Sequence, residues 1–399
     1  MEYFREHISP LLTHLDSETT HLQARDALYL AEKVPGGLGV VEKLNYQGER
    51  FSDPRLTINY GGNTLESPLM VGAGWTKNGK GSRALVKGLG FAGVEAGSMV
   101  LHRQPGNEKP RQEIIVLPDG RVISWNALGF NQDEEAEEIA GILDEYLDLF
   151  IEASMGANKD VPLKDIPEHL ARLTKIILPR RLNGRFILPR VKGLVINHST
   201  PNTPDRRKML GREFLRDSNQ AVMGAMKELG LEVPVANKYS PDMPFDEIDD
   251  ALEVAKTEGI SGIIYANTTV NRGLKEKYYT PRVRKKYGER FLDFGGLAGD
   301  DPEYRRMLEI GTAYIYRQFT AVHSDIFLWG AGAMPDAETA YDRIKAGANG
   351  LKDVTAIRAV GPTLSGRKLR GIVELMERDG ITDINQAVGV EANLYEKAA

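Results

Sequence analysis

Short apolar runs recur along the chain, each followed by a longer amphipathic or charged stretch. Eight stand out: SPLMVGAG from Ser67, GFAGVEAGS from Gly90, DLFIEASMG from Asp148, GLVINHST from Gly193, VPVANKYS from Val233, GIIYANTT from Gly262, IFLWGAGA from Ile326 and GLKDVTAI from Gly350. Between them lie segments such as REFLRDSNQAVMGAMKELG and FDEIDDALEVAKTEG, whose apolar residues return at spacings of three and four, the period of one helix face. Near-continuous apolar strands alternating with helices predict a parallel sheet covered on both faces. Eight such units in succession predict an α/β fold closed into a (β/α)8 TIM barrel, with an open doubly wound sheet as the alternative.

The first run begins only at Ser67, so a stretch of chain precedes the barrel. Tyr3, Phe4, Ile8, Leu11, Leu12 and Leu15 form one apolar stripe, and a second helix is expected after a cap at Asp16 or Ser17. The predicted division is therefore residues 1–45 as an amphipathic helical extension and 46–399 as the barrel. Such a pair of helices either packs on the barrel or forms a hydrophobic mouth touching a membrane surface or admitting an apolar substrate.

Composition narrows the function. The formal charge is −5, so no positive field recruits nucleic acid. With no cysteine among 399 residues, disulfides, thiolate metal sites and a cysteine nucleophile are excluded. Neither a histidine pair at ligand spacing nor a carboxylate cluster suggests a metal. The start, MEYFREHISPLL, lacks the pattern of a secretion signal, and no run of about 18 apolar residues predicts a membrane span.

A barrel of this kind builds its active site at the carboxyl ends of the strands. Polar and glycine residues concentrate there: Lys77 after GAGWT, Ser98, the stretch NHSTPNT from Asn197, Lys238, Asn267 with Thr268, GAG at Gly330, and Thr355. Glycines at Gly295–Gly299 and Gly330–Gly332, with the backbone near Thr355, suit a phosphate held by the last two strand ends. Asn126, Asn197, Asn202 and Asn267 each offer donors and an acceptor, which fits the imide edge of a flat amide-like heterocycle. Lys77 and Lys238 fit a ligand that becomes anionic.

These residues fall in a series of ordered motifs: GAGWTKNG, EAGSMVLHRQPGNEKPR, NALGFN, MGANKD, NHSTPNT, NKYSPD, ANTTVNRG, GGLAG and IKAGANG. In them the sequence resembles the dihydroorotate dehydrogenase family, in its membrane-associated, quinone-using class, from about Tyr3 to Val388. The resemblance implies an FMN-bearing barrel that oxidises dihydroorotate to orotate in pyrimidine synthesis, with electrons passing to quinone. By that likeness Lys77, Asn126, Leu128, Gly129, Phe130, Asn197, Asn202, Asn267 and Thr268 hold the substrate. Ala73, Gly74, Lys77, Ser98, Ser154, Asn197, Lys238, Ala266, Gly299, Gly332, Val354 and Thr355 are the cofactor positions. The base that takes the C5 proton falls on Thr200, where the quinone class usually has serine, and its proton would be relayed near Thr203 and Phe130. Strict strand alternation would favour Ser199, but Pro201 breaks the strand; His198 is expected to face the helix layer.

His21 and Arg111 fall where the class meets quinone. Peripheral attachment through the amino-terminal helices, on the cytoplasmic side of a membrane, is the implied location, with no protein partner required. Some positions depart from the pattern: Thr76 replaces an aspartate, Ser154 an asparagine, Ala266 a threonine or serine, and Val354 a tyrosine. Asp353 sits oddly close to the expected phosphate. These departures thin the cofactor contacts and leave the substrate contacts intact. Another FMN barrel oxidoreductase acting on a related cyclic amide, and a flavin-binding homologue without turnover, are the alternatives.

Overall fold

The computed structural model describes residues 16–182, 185–198, 209–321 and 325–398. The stripe from Tyr3 to Leu15, and Ser199, Thr200, Pro201, Asn202 and Thr203, lie outside them. One strand of a closed parallel barrel falls on each of the eight apolar runs. The strands are β1 Leu69–Val71, β2 Val94–Met99, β3 Ile151–Met155, β4 Gly193–Asn197, β5 Val235–Tyr239, β6 Gly262–Tyr265, β7 Phe327–Ala331 and β8 Gly350–Asp353. They follow one another round the ring in chain order, and β8 closes on β1 with Leu351 opposite Leu69. Closure excludes the open-sheet alternative.

The chain opens with helices α1 (Ser17–Lys33) and α2 (Gly37–Lys43). The barrel helices are α3 (Ala136–Leu143), α4 (Ile166–Ile177), α5 (Arg212–Leu229), α6 (Phe245–Thr257), α7 (Pro302–Ala321) and α8 (Ala337–Lys345), followed after β8 by α9 (Thr355–Val360) and α10 (Leu364–Arg378). In α4 the buried residues Ile166, Leu170, Leu173 and Ile177 repeat at helical spacing and turn one face to the sheet. Between β1 and β2 the crossover shrinks to a π-helical turn, Ala84–Gly88. There α2 takes the vacant place. A side chain on Gly88 would meet Val41 at 2.6 Å, so glycine is what allows the approach. The cap of α1 is Asp16, whose carboxylate accepts from the Thr19 amide at 2.8 Å.

The barrel is plugged at its amino-terminal end by a hairpin, Ile58–Tyr60 with Asn63–Leu65. Tyr60 points its ring at Phe327 and Trp329, with centroids at 4.9 and 5.3 Å. At the other end a three-stranded antiparallel sheet, Gln112–Val116, Val122–Asn126 and Gly296–Gly299, flanks the mouth. The charged stretch 271–294 forms short helices against this sheet. Lys275 ties them down by donating to the carbonyls of Leu292, Phe294 and Gly295 at 3.1, 3.1 and 2.7 Å.

Inside the ring the apolar filling is interrupted by charge. Glu95 on β2 and Glu152 on β3 are registered side by side and fully buried. Two like charges there would repel strongly, but Lys352 of β8 pairs with both and Lys238 of β5 pairs with Glu95 at 3.2 Å. Two cations thus balance two anions. Burial alone would raise the Glu95 carboxyl, yet Lys238 and Lys352 outweigh it and hold Glu95 down to about 2. At 3.2 Å and an effective dielectric near 20, one such contact is about 5 kcal/mol of attraction before desolvation is subtracted. Removing one partner leaves a buried charge uncompensated, so Lys352→Met is expected to lower the unfolding free energy by about 3–5 kcal/mol in urea titration.

Candidate active site

Of the residues expected to meet substrate, Lys77, Asn126, Leu128, Phe130, Asn197, Asn267 and Thr268 border one cavity of about 170 Å³ at the carboxyl ends of the strands. Ala73, Gly74, Ser98, Lys238, Ala266, Gly332, Val354 and Thr355 border it as well. A second cavity of about 150 Å³, at the ends of β7 and β8, shares Gly332, Val354 and Thr355 and adds Gly299. Gly299 lies at a φ of +122°, and a side chain there would come within 2.3 Å of the Val122 carbonyl. Only glycine lets that strand lie so close to its neighbour.

Gly129 and Ser154 stand behind this surface. Gly129 is packed against Asn107, and its carbonyl accepts from Gln104 at 3.3 Å. Ser154 is fully buried and reaches only Ser98 and Glu95. It serves as a link in a directed hydrogen-bond chain. Asn267 Nδ2 donates to Asn197 Oδ1 at 3.0 Å, and Asn197 Nδ2 donates to Ser98 Oγ at 2.8 Å. Ser98 and Ser154 hydroxyls lie 3.1 Å apart, and Ser154 bonds Glu95. An ionised carboxylate can only accept, so each donor in the row is fixed in direction and both asparagine amides have one orientation.

Among the described residues, the larger cavity is lined by Lys77, Lys238, Lys352 and Arg358 and by no carboxylate. Lys238 and Lys352 are committed to the buried glutamates. Lys77 donates to the Asn131 carbonyl at 2.7 Å, and burial, reinforced by Arg111, draws its ammonium down to about 7. The site is therefore built for an anion. Asp353 does not spoil the neighbouring cavity, because its buried carboxylate is paired with Lys368, which also donates to the Met334 carbonyl at 2.6 Å. Thr76 keeps its hydroxyl in the turn after β1, accepting from the Gly79 amide at 3.0 Å. His198 faces the helix layer as expected: its Nε2 lies 3.2 Å from Asn237 Oδ1 and its ring meets Phe214 of α5 edge-on.

A third cavity, of about 240 Å³ and mostly apolar, opens under α1. His21 borders it, with Nε2 2.8 Å from the Trp75 carbonyl and its ring edge-on to Trp75. That carbonyl places the ring proton on Nε2 and leaves Nδ1 a buried acceptor without a partner. Burial, with Arg358 adding, takes His21 down to about 3, so it is neutral at ordinary pH. Arg111 is not in this lining. It grips Glu18 of α1 through two bonds of 2.9 and 2.7 Å and donates to the carbonyls of Pro105 and Asn107, locking α1 onto the barrel mouth. Arg358 of α9 borders both this cavity and the cationic one.

Arg358 and the glutamates were not among the expected site residues. A signal for the glutamates exists: Glu95, Glu152, Lys238 and Lys352 each interrupt an otherwise apolar strand run, and buried charges require partners. Arg358 carries no such signal, since an arginine on a short amphipathic helix is ordinarily solvated.

A closed parallel barrel with an asparagine-braced mouth places the chain among the α/β-barrel enzymes. Residues 55–376 match the dihydroorotate dehydrogenase family, and the chain belongs to it. A protein of Halobacterium salinarum named dihydroorotate dehydrogenase (quinone) is 33% identical over 379 residues, covering 94% of this chain and 97% of that one. A protein of the same name from an Anaeromyxobacter species is 30% identical over 391 residues, covering 97% of each. Among solved structures, the Eimeria tenella enzyme in complex with ferulenol aligns with a TM-score of 0.75 at 23% identity, over 94% of this chain and 95% of that one. At that identity the likeness speaks for the fold.

The ammonium of Lys77 gives a pH prediction. Below about 7 it is charged and attracts an anion; as pH rises through that value the empty site loses the proton, whereas a bound anion would retain it. The dissociation constant of orotate should therefore rise by up to about tenfold per unit above pH 7. Titrations at several pH values would show it, and Lys77→Met should flatten the curve.

Proposed function

We propose that this chain oxidises dihydroorotate to orotate with FMN as its bound cofactor and a quinone as final electron acceptor, as a step of pyrimidine biosynthesis. One observation carries the reading: a cation-lined polar cavity and an apolar cavity meet at Arg358, so a charged substrate and an apolar acceptor can approach one cofactor from different sides.

The residues present fit that cofactor. Ala73 and Gly74 present no bulk to the cavity, and a side chain built on Gly74 would meet nothing within 4 Å. Lys238, a buried cation of the cavity lining, would stabilise negative charge on the flavin, while Gly299, Gly332 and Thr355 border the smaller cavity that would take the phosphate. Bound FMN supplies the acceptor for the hydride that leaves C6 of dihydroorotate. Lys77 meets the substrate carboxylate, and Asn126, Asn197, Asn202, Asn267 and Thr268 read its amide edges. Thr200 takes the proton from C5 and passes it to water, since a hydroxyl is a weak base unless relayed.

The amino-terminal unit, residues 1–45, would guide the acceptor in from a membrane surface. Leu30, Val34, Val40 and Leu44 of α1, α2 and their ends are 50–64% exposed, an apolar face with nothing against it among the described residues. No helix among the described residues is long and apolar enough to cross a membrane; peripheral contact through this unit, on the cytoplasmic side, belongs to the same proposal.

Two experiments test the proposal. Anaerobic dihydroorotate should bleach the yellow protein, and a short-chain quinone should restore the colour; bound flavin that dihydroorotate fails to bleach sinks the reading in favour of another cyclic amide or a homologue without turnover. Thr200→Ala should slow bleaching by about 10²–10⁴-fold with orotate binding nearly unchanged. If Ser199→Ala does so instead, the base is misassigned.

A further inference from the structure

Among the described cations that line the cationic cavity, Lys77 and Arg358 lack a carboxylate partner, and of the two only Arg358 also borders the apolar cavity. Lys238 and Lys352 are paired with glutamates, and Arg111 is bound by Glu18. Arg358, half-buried on α9, has no carboxylate partner among the described residues; Nη2 donates to the Ser17 carbonyl of α1 at 2.8 Å. Burial brings its guanidinium down only to about 10, so it stays charged at neutral pH. A half-buried cation without a counter-charge is unfavourable unless something completes it.

What it faces narrows the choice. Among the described residues it is the one charged side chain in the lining of the apolar cavity, whose other walls include Ala24, Leu28, Trp75, Leu89 and Ile357. A cavity of about 240 Å³ admits a substituted aromatic ring, since an apolar cavity of about 150 Å³ holds benzene. A ring lying there would present its inner edge to Arg358, at the border with the cationic cavity. Guanidinium is weakly hydrated and planar, and it grips an oxygen at such an edge better than a lysine would.

We propose that Arg358 is the specificity-determining residue of the acceptor site: its guanidinium donates to a carbonyl oxygen of a quinone lying in the apolar cavity and selects ligands whose oxygen there is electron-rich or anionic. Arg111, held by Glu18, instead fastens α1 over the cavity and positions its wall. The inference rests on the reading that an apolar electron acceptor docks under α1.

The test is a binding measurement on the purified holoenzyme, read as quenching of tryptophan fluorescence, for which Trp75 lines the cavity. The probes are menadione, which is neutral, and 2-hydroxy-1,4-naphthoquinone, whose acidic hydroxyl is ionised at neutral pH. The wild type should prefer the anionic probe. Arg358→Gln should weaken that probe at least tenfold and menadione by threefold or less, and Arg358→Lys should keep most of the preference. An unchanged preference in Arg358→Gln overturns the proposal, as does an equal loss for both probes. Should Arg358→Gln fail to fold, Arg358→Met is read in its place, and an unchanged preference in it overturns the proposal equally. The two readings fail separately. A protein that selects the anionic probe through Arg358 but is not bleached by dihydroorotate fails the proposed function alone, whereas one bleached and recoloured normally, with the probe preference intact in Arg358→Gln, fails only the inference.

Discussion

The neutral quartet of Glu95, Glu152, Lys238 and Lys352 is the constraint on which the mouth of the barrel depends. Four charges lie where a barrel normally carries branched aliphatics, and they are tolerable only because each meets an opposite charge within the ring. Lys352 and Lys238 come from strands on different sides of the barrel from the glutamates, so satisfying them closes the ring in one register. The same carboxylate that anchors the lysines terminates the row Asn267, Asn197, Ser98 and Ser154. Ion pairing below the mouth thus sets which way the amides point at its surface.

Electrostatics also separates the two approaches to the site. Among the described residues, four basic side chains and no carboxylate line the cavity on one side; on the other, apolar walls surround a neutral histidine and one arginine. The Glu18–Arg111 pair is buried between α1 and the barrel, where water screens it little, so it fastens the helix more firmly than an exposed pair would. Charge at this protein's mouth is therefore arranged by compartment.

Much of this was legible in the sequence, and for identifiable reasons. Each barrel strand falls on one of the eight apolar runs, β2 reaching one residue past its run, because strands buried on both faces must be apolar throughout and the helices between them show their period. That most of the expected residues border one cavity follows for the same reason, since strand ends are fixed once strands are. Ser154 stands behind the lining, since being at a strand end does not say whether a side chain faces the cavity or its support. Arg111 was drawn to the acceptor site by its motif, and its partner Glu18 lies 93 residues away, a contact that no local pattern reveals. Arg358 stayed hidden because the group it meets, the Ser17 carbonyl of α1, lies 341 residues away.

The shortened crossover between β1 and β2 leads somewhere else. Because a π-helical turn stands where a barrel helix would be, the outer layer is finished by the chain's own beginning, and the apolar cavity is a seam between the two. None of the residues bordering that seam belongs to β1 through β8. Variation there falls on removable masonry, so descendants of this sequence could change what the seam accepts, one wall residue at a time, while the ring and its buried charges stay as they are.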